Sequence, residues 1–406
     1  MMQTTEEQLT RLYYICVMKE IAIIGAGAAG CFCAALLSGQ HPEWSVSLYE
    51  AGPRPMMKLA VTGGGRCNIT NTFEGVDSLA DVYPRGDKLM KRLLHSFGPE
   101  ECLRWFEERG VRFVVQDDNC VFPESQDAMQ IVRTLEHEMR KGGVKFFFNR
   151  RINNIAEVSG ADAVIVTTGG GTAGILAGTG IETVPHVPSL FTLKIDNGQL
   201  RSLMGTVVDN VTLGIAGTSF RSHGTLLITD WGLSGPATLR LSSYAARWLA
   251  ESRYCGNLLI NWLDAGESET RELLNSLAQC NSGKMIVNCH PSVLSDRLWR
   301  MLVERSGIRP GCRWAELGNK GYSKLINTLI SDNYEIVGRA RFKEEFVTCG
   351  GVSLKEINPG TMEARKRPGL FFAGEVLDID AVTGGYNLQA AWSTAFVATS
   401  SVISHI

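Results

Sequence analysis

Gly25-Ala26-Gly27-Ala28-Ala29-Gly30 has the spacing G-x-G-x-x-G and lies between an apolar run, Ile21 to Ile24, and a small-residue stretch reaching Ser38. That pattern suits a phosphate site. Gly25 allows a tight turn, Gly27 lets backbone approach a pyrophosphate, and Gly30 lets helix and strand pack closely, while the helix N-terminus attracts the phosphates. Glu50, 20 residues beyond Gly30 and followed by Ala51, can accept hydrogen bonds from both hydroxyls of a ribose. An acid at that point favours FAD or NAD over NADP.

Two further glycine clusters carry polar side chains. Thr62-Gly63-Gly64-Gly65-Arg66-Cys67-Asn68 suits backbone passing close to a flat ring with donors aimed at it. Gly374-Glu375, then Asp378, then Thr383-Gly384-Gly385-Tyr386-Asn387 sits just before the last helical stretch. It would aim backbone N–H groups and a positive helix end at an anionic centre, such as a reduced flavin at N1 and O2. A plain helix cap is the simpler reading of this segment alone.

Other motifs carry less. Gly169 to Gly174 repeats the G-x-G-x-x-G spacing, but Gly178 and Gly180 interrupt any following helix, and the position 20 beyond is Lys194 rather than an acid. The chain therefore has one dinucleotide fold, and a nicotinamide cofactor would lack a Rossmann domain of its own. Gly232-Leu233-Ser234-Gly235-Pro236 ends in Pro where a hydrolase elbow needs Gly, and Ser234 reads as a helix cap. Cys67 beside Arg66 could be a reactive thiol, yet it has no cysteine partner for a redox pair. The 7 histidines are scattered and read as structural or solvent-facing.

The elements that must position these residues follow from periodicity. Ile21 to Ile24, Ala28 to Ser38 and Val46 to Tyr49 make a βαβ unit. Residues 87–110 and 125–141 read as helices, with Val111 to Val115 a strand between them and Ala163 to Val166 another. From 187 to 229 the texture turns to Thr/Val/Leu alternation suited to antiparallel sheet. Helix-rich sequence follows, at 236–250, 266–279, 294–305 and 324–330. A strand at 369–372 and a helix at 388–403 close the chain.

With 406 residues, 44% hydrophobic and 20% charged, the chain can bury a large core and form two or three domains. Its 40 Lys and Arg against 42 Asp and Glu leave a formal charge of -2, so no bulk positive field holds nucleic acid or an anionic membrane. A nucleic-acid partner would need a local patch. The 11 cysteines include no Cys-x-x-Cys pair, which fits a reduced, cytoplasmic chain without structural zinc. Ile21 to Leu37 is too short and too glycine-broken to span a membrane. Residues 1–17 read as an extension, with Met18 a plausible alternative start.

Lys58 to Asn68, Val121-Phe122-Pro123, Gly232 to Pro236, Cys349-Gly350-Gly351-Val352 and Gly374 to Gln389 together resemble the BaiN-like flavoproteins, also called the aminoacetone-oxidase family. The resemblance runs from about Met18 to Ala398. It implies an α/β fold, a glutathione-reductase-type FAD-binding Rossmann domain with an inserted β-barrel-like domain and a helical subdomain. The implied boundaries are 18–190 and 346–406 for the FAD domain and 191–345 for the insert, β-rich over 191–262 and helix-rich over 263–335. By the same resemblance Lys58, Thr62 to Asn68 and Gly384 to Leu388 would surround the isoalloxazine, and Glu375 and Asp378 would lie near the ribityl and pyrophosphate. Ile152 would meet the adenine, and Thr168-Gly169-Gly170 would pass close to the cofactor. The chain shortens the stretch between about 145 and Ala163 and the loop after Gly170, and has Thr229-Asp230 where the family commonly has Thr-His.

The expected activity is FAD-dependent oxidoreduction, with two reaction types implied by the resemblance. One is reduction of a conjugated C=C bond in a small organic substrate with electrons from NAD(P)H; the other is oxidation of a small amine by O2. The missing amine-anchoring carboxylate cluster tilts the reading to the reductase. A non-catalytic FAD-binding protein is the alternative from another class, and neither a nucleic-acid nor a membrane partner is expected.

Overall fold

The computed structural model describes residues 18–171, 174–340 and 347–405. The extension at 1–17 lies outside them. The chain divides into two compact units, one made of residues up to His186 together with Thr348–Ile406, the other of Val187–Val347.

The first unit is built on a five-stranded parallel sheet, in the order Leu370–Phe372, Ala163–Val166, Glu20–Ile24, Ser45–Tyr49, Lys145–Phe147. Its central strand pairs Ile23 with Leu48 on one side and Ile165 on the other, and all three side chains are fully buried. A strand covered on both faces needs an unbroken apolar run, which Ile21 to Ile24 supplies. The crossover helix Ala28–Gln40 is buried from Ala29 to Ser38, because it is sandwiched rather than amphipathic. Phe32 on this helix meets Phe97, Trp105, Phe106 and Trp392 at ring-centroid distances of 4.9 to 6.2 Å. That aromatic cluster ties the helix to the last one, Tyr386–His405.

The single helix expected over 87–110 is two, Asp87–Leu94 and Pro99–Glu107. Pro99 drives the residue before it out of the helical region, and Gly98 there is extended (φ -94°, ψ -167°). The Glu101 carboxylate then accepts the Gly98 N–H at 2.9 Å and restarts the helix. The next helix is Ala128–Lys141, capped by Asp127, whose Oδ1 accepts from the Met129 N–H at 2.9 Å.

The second unit contains a closed six-stranded antiparallel barrel: Val207–Ile215, Arg221–Ile228, Gly232–Ser234, Leu193–Ile195, Asp332–Arg339 and Gly256–Asn261. Leu193, Leu213, Ile228, Leu233, Leu258, Ile260 and Ile336 are all fully buried. Closure removes the exposed edges. Helices Glu267–Asn281, Asp296–Arg305 and Gly318–Ile330 follow, around the buried Trp299, Leu302 and Leu325. Ser234 does not cap the helix Pro236–Tyr244 as expected. Gly235 holds that position at φ +90°, and Ser234 instead forms a barrel strand whose backbone pairs with Leu227.

Candidate functional site

The glycine turn is held by close contacts that exclude any other residue at two of its positions. A Cβ on Gly30 would sit 2.0 Å from the Gly25 carbonyl oxygen and 2.5 Å from Thr167 Oγ1, and one on Gly25 (φ +104°) would sit 2.6 Å from the Thr167 carbonyl. Gly27 is different. A Cβ there would meet nothing within 4 Å, and no side chain caps the helix that begins at Ala28. Backbone N–H groups at the start of that helix therefore face open space, where an anion is favoured.

Glu50 ends the neighbouring strand. Its Oε2 accepts the Ala26 N–H at 2.9 Å and its Oε1 accepts the Gly52 N–H at 2.7 Å. These bonds fix the carboxylate beside the turn and leave it further acceptor capacity. The Asn149 N–H donates to the Gly52 carbonyl and the Arg150 N–H to the Glu50 carbonyl, both at 2.9 Å. This pairing lays the segment that leads to the buried Ile152 along Glu50 and Ala51.

On the other side of the turn, Thr168-Gly169-Gly170 leaves the Ala163–Val166 strand. The Thr168 hydroxyl is buried and makes no hydrogen bond. Such an atom costs about 1–3 kcal/mol unless a ligand or water satisfies it. A Cβ on Gly169 would lie 3.2 Å from Glu375 Oε2, so this backbone passes directly against Glu375. The Glu375 Oε1 accepts the Thr348 N–H at 2.7 Å, and Lys58 Nζ stands 3.8 Å from Oε2. Gly374 brings that turn against the first helix, where its added Cβ would be 2.8 Å from Ala29 Cβ. Asp378 follows, its N–H donating to the Val352 carbonyl at 3.0 Å.

The third wall joins two segments more than 300 residues apart. Gly385 (φ +88°) lies so close to the Thr70 carbonyl that an added Cβ would be 2.3 Å away. The Asn68 amide, oriented to satisfy both of its ends, donates to the Thr70 carbonyl at 2.9 Å and accepts the Gly385 N–H at 3.1 Å. Asn71 donates to the Gly384 carbonyl at 3.0 Å, and Thr70 donates to the buried Gln389 Oε1 at 2.5 Å. Gly64 and Gly65 lie in the left-handed region with open space where a side chain would be, and the Thr62 hydroxyl donates to the Lys58 carbonyl. Leu388 stays partly exposed at the start of the last helix.

Three side chains from these motifs are committed elsewhere. Arg66 stacks its guanidinium 4.4 Å over the Phe122 ring. Tyr386 is buried against Phe73 and Tyr83, and Asn387 exchanges hydrogen bonds with the Ala381 backbone, both at 2.9 Å. Cys67 is fully buried, which pushes its thiol up to about 12, so it is no thiolate at neutral pH. Residues 174–180 form turns rather than a helix, as expected for the second glycine pattern.

Sequence reasoning missed the groups that sew this wall together. Thr70, Asn71 and Gln389, and the buried Arg85–Asp380 ion pair that anchors the segment leading to Gly384, carry no local signature. The one available hint was Gln389 itself, a long polar side chain in the first turn of a helix buried over most of its length.

The model of the HI0933-like protein Rossmann domain family matches residues 19–401. The chain belongs to that family. Its core is the Rossmann-type FAD-binding fold of a flavoprotein oxidoreductase family, in agreement with the resemblance drawn from the motifs. It is 32% identical over 94% of its length, and 97% of the relative's, to the ribosomal RNA dihydrouridine synthase of Escherichia coli (strain K12). It is 29% identical over 94% of its length, and 98% of the relative's, to the 3-dehydro-bile acid delta(4,6)-reductase of Clostridium scindens. Among solved structures, 3-ketosteroid delta1-dehydrogenase from Sterolibacterium denitrificans aligns at 11% identity and a TM-score of 0.48, over 96% of this chain and all of that one.

Proposed function

We propose that this family member binds FAD in the cradle described above and reduces a C=C bond conjugated to a carbonyl, with NAD(P)H as electron donor. The observation that carries the cofactor assignment is the uncapped helix start at open Gly27, flanked by the fixed Glu50 carboxylate and the unbonded Thr168 hydroxyl. These are the three kinds of group a dinucleotide needs: N–H groups for pyrophosphate, an acid for ribose, and a hydroxyl with spare bonding capacity. When bound, the flavin supplies hydride chemistry. The chain would supply orientation: Lys58 and Gly63 to Gly65 would border the ring, Asn68, which accepts the Gly385 N–H, would fix that glycine beside it, and the start of the Tyr386–His405 helix would offer a positive end. Glu375 and Asp378 would stand on the ribityl and pyrophosphate side.

The reaction class draws support from the names of the two relatives. Dihydrouridine differs from uridine by reduction of a C=C bond conjugated to a ring carbonyl, and a delta(4,6)-reductase of a 3-dehydro-bile acid acts on the same kind of conjugated system. Amine oxidation finds no such support, and Glu375, the acid paired with Lys58, is also held by the Thr348 N–H. The names divide on the substrate, and the greater identity to the ribosomal RNA enzyme favours a uridine of RNA as a second reading beside a small organic enone.

Anaerobic titration of the FAD-loaded chain with NADH and then NADPH tests the reading. Bleaching of the flavin absorbance, reversed by a conjugated enone under argon, is the expected result. Flavin that stays oxidised at millimolar nicotinamide, yet bleaches with a primary amine, would return the assignment to an amine oxidase.

A further inference from the structure

The turn after the central strand is held at more points than its glycines account for. The Gly25–Ala26 peptide is trans, so its carbonyl and its N–H point in opposite directions. At one end the Ala26 N–H donates to Glu50 Oε2 at 2.9 Å. At the other the Gly25 carbonyl accepts from the Thr167 hydroxyl at 2.7 Å. Glu50 and Thr167 follow the two strands that flank the central one, so the sheet grips a single peptide plane from both sides.

Thr167 is buried, and its backbone N–H donates to the Ile24 carbonyl at 2.8 Å, continuing the ladder that pairs Ile24 with Val166. The Thr167 hydroxyl also lies 3.0 Å from that carbonyl, which already has its donor. The single hydroxyl proton is therefore free for the nearer Gly25 carbonyl. The same hydroxyl oxygen packs against Gly30, where an added Cβ would sit 2.5 Å from it. The next peptide is fixed as well, because the Ala26 carbonyl accepts the Met56 N–H at 2.7 Å. Beyond this point the fixing stops. Gly27 faces open space, and the buried Thr168 hydroxyl, one residue past Thr167, is unbonded. The turn is thus clamped up to the place where a phosphate would meet it and left open there.

We propose that Thr167 is a positioning residue for the adenosine diphosphate half of the cofactor. Its hydroxyl sets the plane of the Gly25–Ala26 peptide. That plane in turn sets the Glu50 carboxylate, which would take the ribose, and the path of the backbone into the helix start at Gly27, which would take the pyrophosphate. Thr167 acts through Gly25 rather than on the cofactor, and it stands 142 residues from that glycine, outside the G-x-G-x-x-G pattern. The proposal rests on the reading of this cradle as an FAD site.

The test is FAD uptake by the deflavinated full chain, followed by the change in flavin fluorescence, with ADP as competitor. Thr167→Val, which lacks the hydroxyl, should weaken FAD about tenfold and ADP by the same factor. Thr167→Ala should do the same, and it decides the matter if the valine methyl crowds the Gly25 carbonyl and the variant does not fold. Thr167→Ser, which keeps the hydroxyl, should stay within about twofold of the parent. Combining Thr167→Val with Glu50→Gln should cost clearly less than the product of the two single losses, because either change releases the same peptide. A cooperative urea transition verifies the fold of each variant. The proposal falls if the hydroxyl-free variants bind FAD as the parent does, or if they lose FAD while ADP competes unchanged. It falls equally if Thr167→Ser loses as much as Thr167→Val, or if the single losses multiply in the double variant. A parent chain that takes up no FAD would instead overturn the cofactor reading itself.

Discussion

The cofactor cradle and the inserted barrel are both well packed, but different forces shape them. In the cradle the backbone path is set by positions that tolerate no side chain: an atom added at Gly30 or Gly385 lands 2.0 or 2.3 Å from a carbonyl oxygen. In the barrel the path is set by alternation, with Leu258 and Ile260 buried and their neighbours Asn257, Leu259 and Asn261 exposed or half-buried. A site built by glycine spacing announces its chemistry locally. A unit built by alternation announces only that it has an inside.

The sharpest way to break this contrast is Gly30→Val. Because the nearest neighbour of the new side chain is the Gly25 backbone carbonyl, the turn cannot yield. The purified variant should hold essentially no FAD, measured as the flavin-to-protein absorbance ratio; a normal ratio would mean that the close approach at Gly30 is not what shapes the turn. Next in size is Asp380→Ala. Asp380 is fully buried and takes both bonds of a forked pair from Arg85, one at 2.5 Å. Removing it takes the forked carboxylate from a largely buried guanidinium, at a cost of about 3–5 kcal/mol, read from the shift of the urea midpoint. Leu258→Ala in the barrel should cost about 2–5 kcal/mol by the same measurement, through lost burial and the cavity left behind. Its FAD affinity should stay within about twofold of the parent, whereas a loss comparable to that of Gly30→Val would show that the barrel helps to form the cradle.

How far the sequence could be read follows the same division. The strand, turn, helix and acid from Ile21 to Glu50 are a contiguous stretch whose parts explain one another, and the structure has them in that order. The break at Gly98-Pro99 was also local, yet the leucine spacing on either side of it masked the proline. Ser234 was misassigned because a serine before Gly-Pro suits a cap, whereas the strand pairing that claims it is with Leu227 on another part of the barrel. Thr70 to Gln389 and Arg85 to Asp380 could not be read at all. Pairs 319 and 295 residues apart leave no periodicity, and only the fold brings them together.

Cys67 offers the smallest expected effect and the finest test of the cradle. It sits between Arg66 and Asn68 at φ +62°, in the loop proposed to border the ring, so by sequence it invites a role as a nucleophile. Burial gives the opposite result, because an apolar surrounding disfavours the thiolate and raises the thiol to about 12. The neutral form is what the fold stabilises. That contribution is complete below the ordinary thiol value near 9 and is lost only as pH climbs toward 12. At pH 8, alkylation followed by mass spectrometry should therefore modify the exposed Cys255 and Cys280 within minutes and leave Cys67 untouched until the chain unfolds. Cys67→Ser should retain FAD and reduce it at nearly the parental rate. Rapid alkylation of Cys67 in the folded chain would mean that the loop from Thr62 to Asn68 opens to solvent, and that the cradle is assembled around its cofactor rather than held ready for it.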